Sequence, residues 1–511
     1  MGVTELPAEV GNDVIMEELT QESVPDIIGY DKAVEKGHIA RLKHEEKDLY
    51  SVIFKNSDGT NTMYMYSEPI KYIDENGDVK DKSNKIVADS SKTGYYTNSD
   101  NNIRVNFPNI IDNEISLVYN ELEIVMLPIS DSKSAVSLVE NAVDSKTGEK
   151  QTDSVKYDKV FGDNTFITYK PTYTGFKENI ILTEYTGQSE FEFTLYTNGL
   201  ELFKDGDILF LRNEKGETVA NLGQVIIFTA DNGNNSFGEC DFVTVKENQE
   251  YTVIIKVDPD YLTDPKTVFP LTIDPTISIT PTTYDPTYSG AKIEDARISI
   301  GAMGGVGSGT ETSTAIGAAF GGQGTSRMLV KFPTLNNSSY YTFSSLYSSQ
   351  IISAYIKTYV VSSSTYATSI KSYAYTTSWV ENTVVGNIST WNSYYDTATL
   401  STTSVGSTTG NKSISILNTV KAWCNYNRGV SGGRNPAYGL ILINNNEATT
   451  SYARTLYTSE NVNPLELIIT YSLPDLYISA TNIRNNETLV YNVENEAYIS
   501  IKNNSSFPVQ S

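Results

Sequence analysis

The chain runs to 511 residues, which at roughly 150 residues per domain suggests three or four domains, each large enough for its own core. Its 62 acidic residues outweigh 38 basic ones, giving a net charge of −24. Such a field repels nucleic acid and anionic lipid and argues against partners of either kind. Hydrophobic content is 39%, in the globular range, and Tyr is frequent at 35 residues against 17 Phe. Tyrosine suits a pleated, half-buried surface with a wet hydroxyl, so the composition points to an extracellular β-protein. Acidity of this degree serves solubility first; a calcium-binding surface is the alternative reading, and no other cofactor is implied.

Residues 1–48 are charged and irregular. Lys32 to Lys47 reads as a solvated lead-in helix carrying both histidines, His38 and His44. The N-terminus, Met1-Gly2-Val3-Thr4-Glu5-Leu6-Pro7, has neither a basic nor a hydrophobic region of the kind a signal peptide needs. No apolar run approaches membrane length. Both ends nevertheless read as cut from a longer protein.

From residue 49 the period changes to two. Leu49 to Lys55 is a strand, Asn56-Ser57-Asp58-Gly59 a turn, and Thr62 to Tyr66 the returning strand. Asp-Gly and Asn-Gly turns recur at 58–59, 76–77, 198–199, 205–206 and 232–233, supplying the positive φ that tight hairpins need. Alternating segments such as Phe191-Glu192-Phe193-Thr194-Leu195 run between them. The fold class this predicts is all-β: tandem antiparallel sandwiches, jelly-roll-like or immunoglobulin-like, with few short helices. A Pro-bounded strand, Val268 to Pro275, closes the region and sets a boundary at 276.

Residues 277–473 carry the most specific pattern. Ile293 to Gly301 alternates as a strand, and a Gly-rich stretch from Gly301 to Gly309 follows. No Gly-Lys-Ser/Thr closes that stretch, so it is a loop and not a phosphate cradle. Then come Ser326-Arg327-Met328-Leu329-Val330-Lys331-Phe332, Trp379-Val380-Glu381-Asn382, Ser389-Thr390-Trp391-Asn392 and Ile416 to Trp423. Tyr438-Gly439-Leu440-Ile441-Leu442 and Leu465 to Tyr471 complete the relay. This order resembles the DNRLRE family, β-sandwich modules of large secreted and wall-associated bacterial proteins, many of which carry RHS/YD repeats. Pro333 stands where that family usually has Asp. Residues 49–276 are similar to the β-rich region preceding such modules. Residues 474–511 resemble the first strands of a CARDB-type immunoglobulin-like module, too short to close. The resemblance gives Arg327, Phe332, Glu381 and Gly439 structural roles, with Glu381 ordering its turn by accepting backbone hydrogen bonds.

Catalysis finds little support in the residues. The histidines lie outside every predicted sandwich, and neither Cys240 nor Cys424 has a histidine in its own domain. The Ile416, Val420, Trp423 spacing places Cys424 on a short packing helix. The carboxylates cluster in turns, where solvent keeps them ordinary. Trp379, Trp391 and Trp423 are either core anchors or, less in keeping with their positions, a sugar-stacking platform. The expectation is a non-catalytic extracellular or cell-wall-associated module. It would bind a wall or extracellular glycan, or a surface protein, or present a downstream RHS-type cargo. Two alternatives stay open: a polysaccharide lyase or hydrolase with catalytic carboxylates in 49–276, and a purely structural shell segment of an RHS-type toxin.

Overall fold

The computed structural model describes residues 17–20, 23–143, 150–206, 208–223, 225–229, 236–280, 293–300, 313–318, 324–332, 335, 346–361, 365–381, 394–459, 464–473, 476–483 and 497–503. Antiparallel strands dominate it, with three short α-helices among the described residues, at Tyr30–Glu35, Pro259–Thr263 and Leu417–Asn427. The all-β expectation holds.

Alternation places the core. In Glu190–Tyr196, Phe191, Phe193 and Leu195 point inward and are fully buried, while the intervening residues face out. That strand belongs to an eight-stranded sheet running from Ser83–Ala88 at one edge to Glu239–Lys246 at the other. A second sheet faces it, built on the meander Val136–Val143, Lys150–Asp158, Thr165–Pro171 and Gly175–Leu182. Between them lies one continuous apolar core drawn wholly from residues 86–279. Phe107, Tyr169 and Phe176 meet there edge-on or tilted at centroid distances of 5.7–6.4 Å.

The other sandwich is split in sequence. Asn61–Tyr66 pairs with Glu466–Tyr471, setting Met65 against Leu467 and Met63 against Ile469 across some 400 residues of chain. Ser51–Asn56 and His38–Arg41 extend this sheet outward. Ser313–Ala318 pairs with Arg454–Tyr457 on one side and Thr325–Lys331 on the other, carrying the ladder round to the opposing layer. Ile53, Met63 and Met65 share a core with Val330, Ile356, Trp423 and Leu467.

This pairing corrects two sequence boundaries. Among the described residues, the strands of 17–48 are not a detached lead-in, and those of 51–66 pair into the sheet of 277–473. Residues 17–66 finish the C-terminal sandwich, and the 83–279 sandwich is inserted between its halves. The charged segment misleads because its charges pair internally. Arg41 is buried, forks onto Glu46 at 2.8 and 2.9 Å, and reaches Asp81 at 2.5 and 2.7 Å. Lys71 adds a third bond to Glu46 at 2.9 Å. Gly37, at φ 82°, ends the short helix, so His38–Arg41 is a strand rather than part of a helix. Leu476–Ile483 and Ala497–Asn503 form a separate two-stranded hairpin.

Candidate functional site

The hairpin joining Thr165–Pro171 to Gly175–Leu182 turns tightly, Thr172 N donating to Gly175 O at 2.9 Å. Gly175 lies so close to the neighbouring strand that a Cβ there would sit 2.0 Å from Ile277 O; only glycine fits. The tip crosses to the split sandwich. Tyr173 buries its ring in an apolar cluster with Val52, Phe54, Tyr64 and Tyr66. Lys82 Nζ donates to Tyr173 O at 2.7 Å, and Thr174 Oγ1 donates to Glu68 Oε1 at 2.9 Å. Lys82 and Glu68 lie on the chain that leads from one sandwich into the other.

Beside this clamp is a cleft of about 680 Å³ with walls from both sandwiches, within the usual range for a ligand pocket. Tyr359 lines it and stacks on Tyr457 at 5.3 Å. Lys357 and Glu466 pair across adjacent strands at 2.8 Å, and Lys170 meets Asp153 at 2.9 Å. Burial pushes the Lys82 ammonium down to about 7, with Glu68 acting against the shift. Burial also raises Glu68, against the hydrogen bond from Thr174 and the charge of Lys82.

None of the sequence-predicted site residues with a described position lines this cleft. Trp423 is fully buried and meets Phe332 edge-on at 6.0 Å. Trp379 is 5% exposed; its Nε1 donates to Tyr438 O at 2.9 Å, and Lys331 Nζ sits 4.5 Å above its ring. Burial therefore rules out these two as a sugar platform and leaves them as core anchors. Trp391 lies outside the described residues. Glu381 accepts a backbone N–H from Asp295, at 3.0 Å on a neighbouring strand; the residues that follow it, 382–393, lie outside the described residues. Arg327 forks onto Glu447 with two 2.8 Å bonds. Gly439 has φ 68°, and a Cβ there would lie 2.1 Å from Val330 O.

Two expectations about chemistry need correction. His38 is not in a polar lead-in: it is buried, stacks on Phe54 at 4.7 Å, and bonds Asn56 Oδ1 at 2.6 Å and Tyr64 Oη at 2.8 Å. Burial lowers its pKa, favouring the neutral ring. Nor are the carboxylates all ordinary. Glu178 is buried in the inserted core, and burial drives its pKa well up. Asp274 is raised by burial too, although Lys177 lies 2.5 Å away and opposes the shift. Burial pushes both thiols, Cys240 and Cys424, up to about 12.

Sequence reasoning missed Glu68, Lys82, Tyr173 and Tyr359. Glu68 follows the strand Asn61–Tyr66, which is buried along its whole length, so no alternation marks it. Among the described residues no helix is long and apolar enough to cross a membrane, and no three His, Cys, Asp or Glu side chains gather as a metal set.

No family model matches the chain. Over 292 residues, 53% of its length, it is 26% identical to "tRNA(Glu)-specific nuclease WapA" of Bacillus subtilis subsp. natto (strain BEST195). The match spans 12% of that protein. Among solved structures, the N-terminal CBM22-1-CBM22-2 tandem domain from Paenibacillus barcinonensis Xyn10C aligns over 68% of this chain and 93% of its own. The identity is 10% and the TM-score 0.10, too low to carry an argument about fold or ligand.

Proposed function

We propose that this chain is a non-catalytic module of a large bacterial surface or secreted protein, related to DNRLRE-type modules, that holds carbohydrate in the cleft between its sandwiches. The observation that carries the reading is the cleft itself. It sets Tyr359, stacked on Tyr457, beside paired lysines and carboxylates in a space of about 680 Å³, and sugars are held by that mixture of apolar face and polar edge. The match to 12% of a much longer protein supports a segment that accompanies other parts, cargo included. The module's place would be extracellular or wall-associated. Binding of the purified chain to a glycan array, lost in Tyr359→Ala with an unchanged melting temperature, is the expected result. An array with no carbohydrate bound would overturn the reading.

One observation favours a hydrolytic alternative. Glu68 lines the cleft with a raised pKa, as a general acid requires. Its oxygen is held by Thr174, and its neighbour Lys82 is fixed on a backbone carbonyl, which suits a structural clamp. Release of sugar products by the wild type but not by Glu68→Gln would decide for the enzyme.

A further inference from the structure

The outer face of the inserted sandwich carries a second hollow, and strand phase builds its floor. Along Leu122–Pro128 the side chains of Leu122, Ile124 and Met126 enter the core, so Glu123 and Val125 point away from it. On the neighbouring strand Glu190–Tyr196, Leu195 enters the core and Tyr196 turns outward, in register with Val125. Val125 is buried, whereas Tyr196 stays 39% exposed. The groove above them holds about 530 Å³ and is also lined by Asn198, Gly199 and Gln249. It shares no residue with the cleft, whose Lys85 lies on Ser83–Ala88 at the edge of the same sheet.

The rim of the groove is fixed through its main chain. Asn198 and Gly199 take φ of 50° and 101° at a hairpin tip that Leu200 N closes onto Thr197 O at 3.2 Å. This tip is tied to the turn at 246–249, Gly199 N donating to Asn248 O at 2.8 Å and Thr197 N to Gln249 O at 3.0 Å. The buried Tyr251 hydroxyl accepts from Asn248 N at 2.9 Å and from Leu202 N at 3.2 Å. The side chains of Glu123, Tyr196, Asn198 and Gln249 are left over. None of the four makes a hydrogen bond or an ion pair among the described residues, and no second ring or cation there covers Tyr196.

We infer that this groove is a second sugar site, taking an uncharged pyranose unit of a glycan against Tyr196. A flat aromatic ring with few torsions to fix suits the C–H face of a sugar ring. The hydroxyls at the edge of that ring both donate and accept. Glu123 offers acceptors alone, and the amides of Asn198 and Gln249 offer both donors and acceptors, so the rim can satisfy them. Glu123 is the one charged side chain of the lining, in a chain of net charge −24, so an anionic unit is disfavoured. With the main chain of the rim already ordered, binding costs little beyond the freezing of these side chains. Occupancy of the groove does not depend on the cleft. With both filled by one polymer, the second contact becomes intramolecular and the chain gains avidity.

The test uses the full chain and calorimetry with xylohexaose, cellohexaose, maltohexaose and mannohexaose, and with hexagalacturonate as the anionic counterpart. The proteins are the wild type, Tyr196→Ala, Glu123→Gln and Tyr359→Ala, each checked for an unchanged thermal melt. The expected result is a neutral hexamer whose binding persists in Tyr359→Ala, with only the groove left to hold it. Added to that variant, Tyr196→Ala should weaken binding about tenfold or more, and Glu123→Gln about three- to tenfold. Binding that Tyr359→Ala abolishes and Tyr196→Ala leaves unchanged would overturn the groove and keep the cleft. Hexagalacturonate held as tightly as the neutral hexamers would overturn the uncharged ligand. No binding of any hexamer would overturn the groove and the cleft together.

Discussion

At the scale of single residues, the molecule uses its large and charged side chains for structure more than sequence suggests. Among the described residues Trp423 is the largest fully buried side chain, on the helix Leu417–Asn427, and its ring packs edge-on against Phe332. Trp423→Ala should cost about 3–5 kcal/mol in denaturant melts, through lost transfer energy and the cavity left behind. A midpoint near that of the wild type would show that the helix can collapse onto the gap. Glu178 sets a different trial. Its carboxyl is buried opposite Tyr169 on the next strand, with its pKa raised by burial. A raised acid favours the native state fully only below its ordinary pKa, and that contribution fades as pH rises through the folded value. Glu178→Gln removes the ionisation and keeps the shape. The variant should gain on the wild type by about 1–3 kcal/mol as pH climbs from 4 toward 8. A difference that stays flat with pH would mean that the carboxylate is compensated in the native state.

At the scale of elements, the strands were legible and their partners were not. Alternation marks Glu190–Tyr196 plainly, because a period of two reflects one buried face, whereas Ser51–Asn56 and Asn61–Tyr66, buried on both faces, are marked by the Asp58-Gly59 turn between them. That Asn61–Tyr66 pairs with Glu466–Tyr471 left no local trace, since every apolar strand is equally suited to many partners until the chain closes. The helix at Leu417–Asn427 was visible in the Ile416, Val420, Trp423 spacing. The cleft was not, because Glu68, Tyr173 and Tyr359 come from three separate elements whose meeting is purely tertiary. The hairpin tip at Tyr173 is the element that makes them meet. Lys82 holds it with an ammonium whose pKa falls from 10.5 to about 7. A lowered base costs native stability below the folded value and regains it as pH rises toward the unfolded one. Relative to Lys82→Met, the wild type should therefore gain stability between about pH 7 and 10, read as the difference between paired melts at each pH. A wild type that loses ground to the variant over that window would put the charged lysine in a favourable site instead.

At the scale of the whole molecule, the order of the chain and the order of the fold disagree, and this sets which piece can stand alone. The inserted sandwich draws its entire core from residues 86–279. Every described strand that flanks that core lies within residues 83–279, so residues 75–280 should melt cooperatively when expressed alone. The split sandwich cannot do so from 277–473. That piece lacks Ile53, Met63 and Met65 of its core, and it would leave the ladder of Glu466–Tyr471 unpaired along one side. Exposed apolar strand edges invite pairing with other chains, so aggregation is the expected fate of the fragment. The contacts between Asn61–Tyr66 and Glu466–Tyr471 also have to be made across an intervening domain, which makes them late in folding. Supplying residues 17–73 as a separate chain during refolding should restore a soluble, cooperative sandwich, followed by circular dichroism and light scattering. A fragment of 277–473 that is monomeric and melts as sharply as the full chain would show that the N-terminal strands decorate this sandwich without completing it.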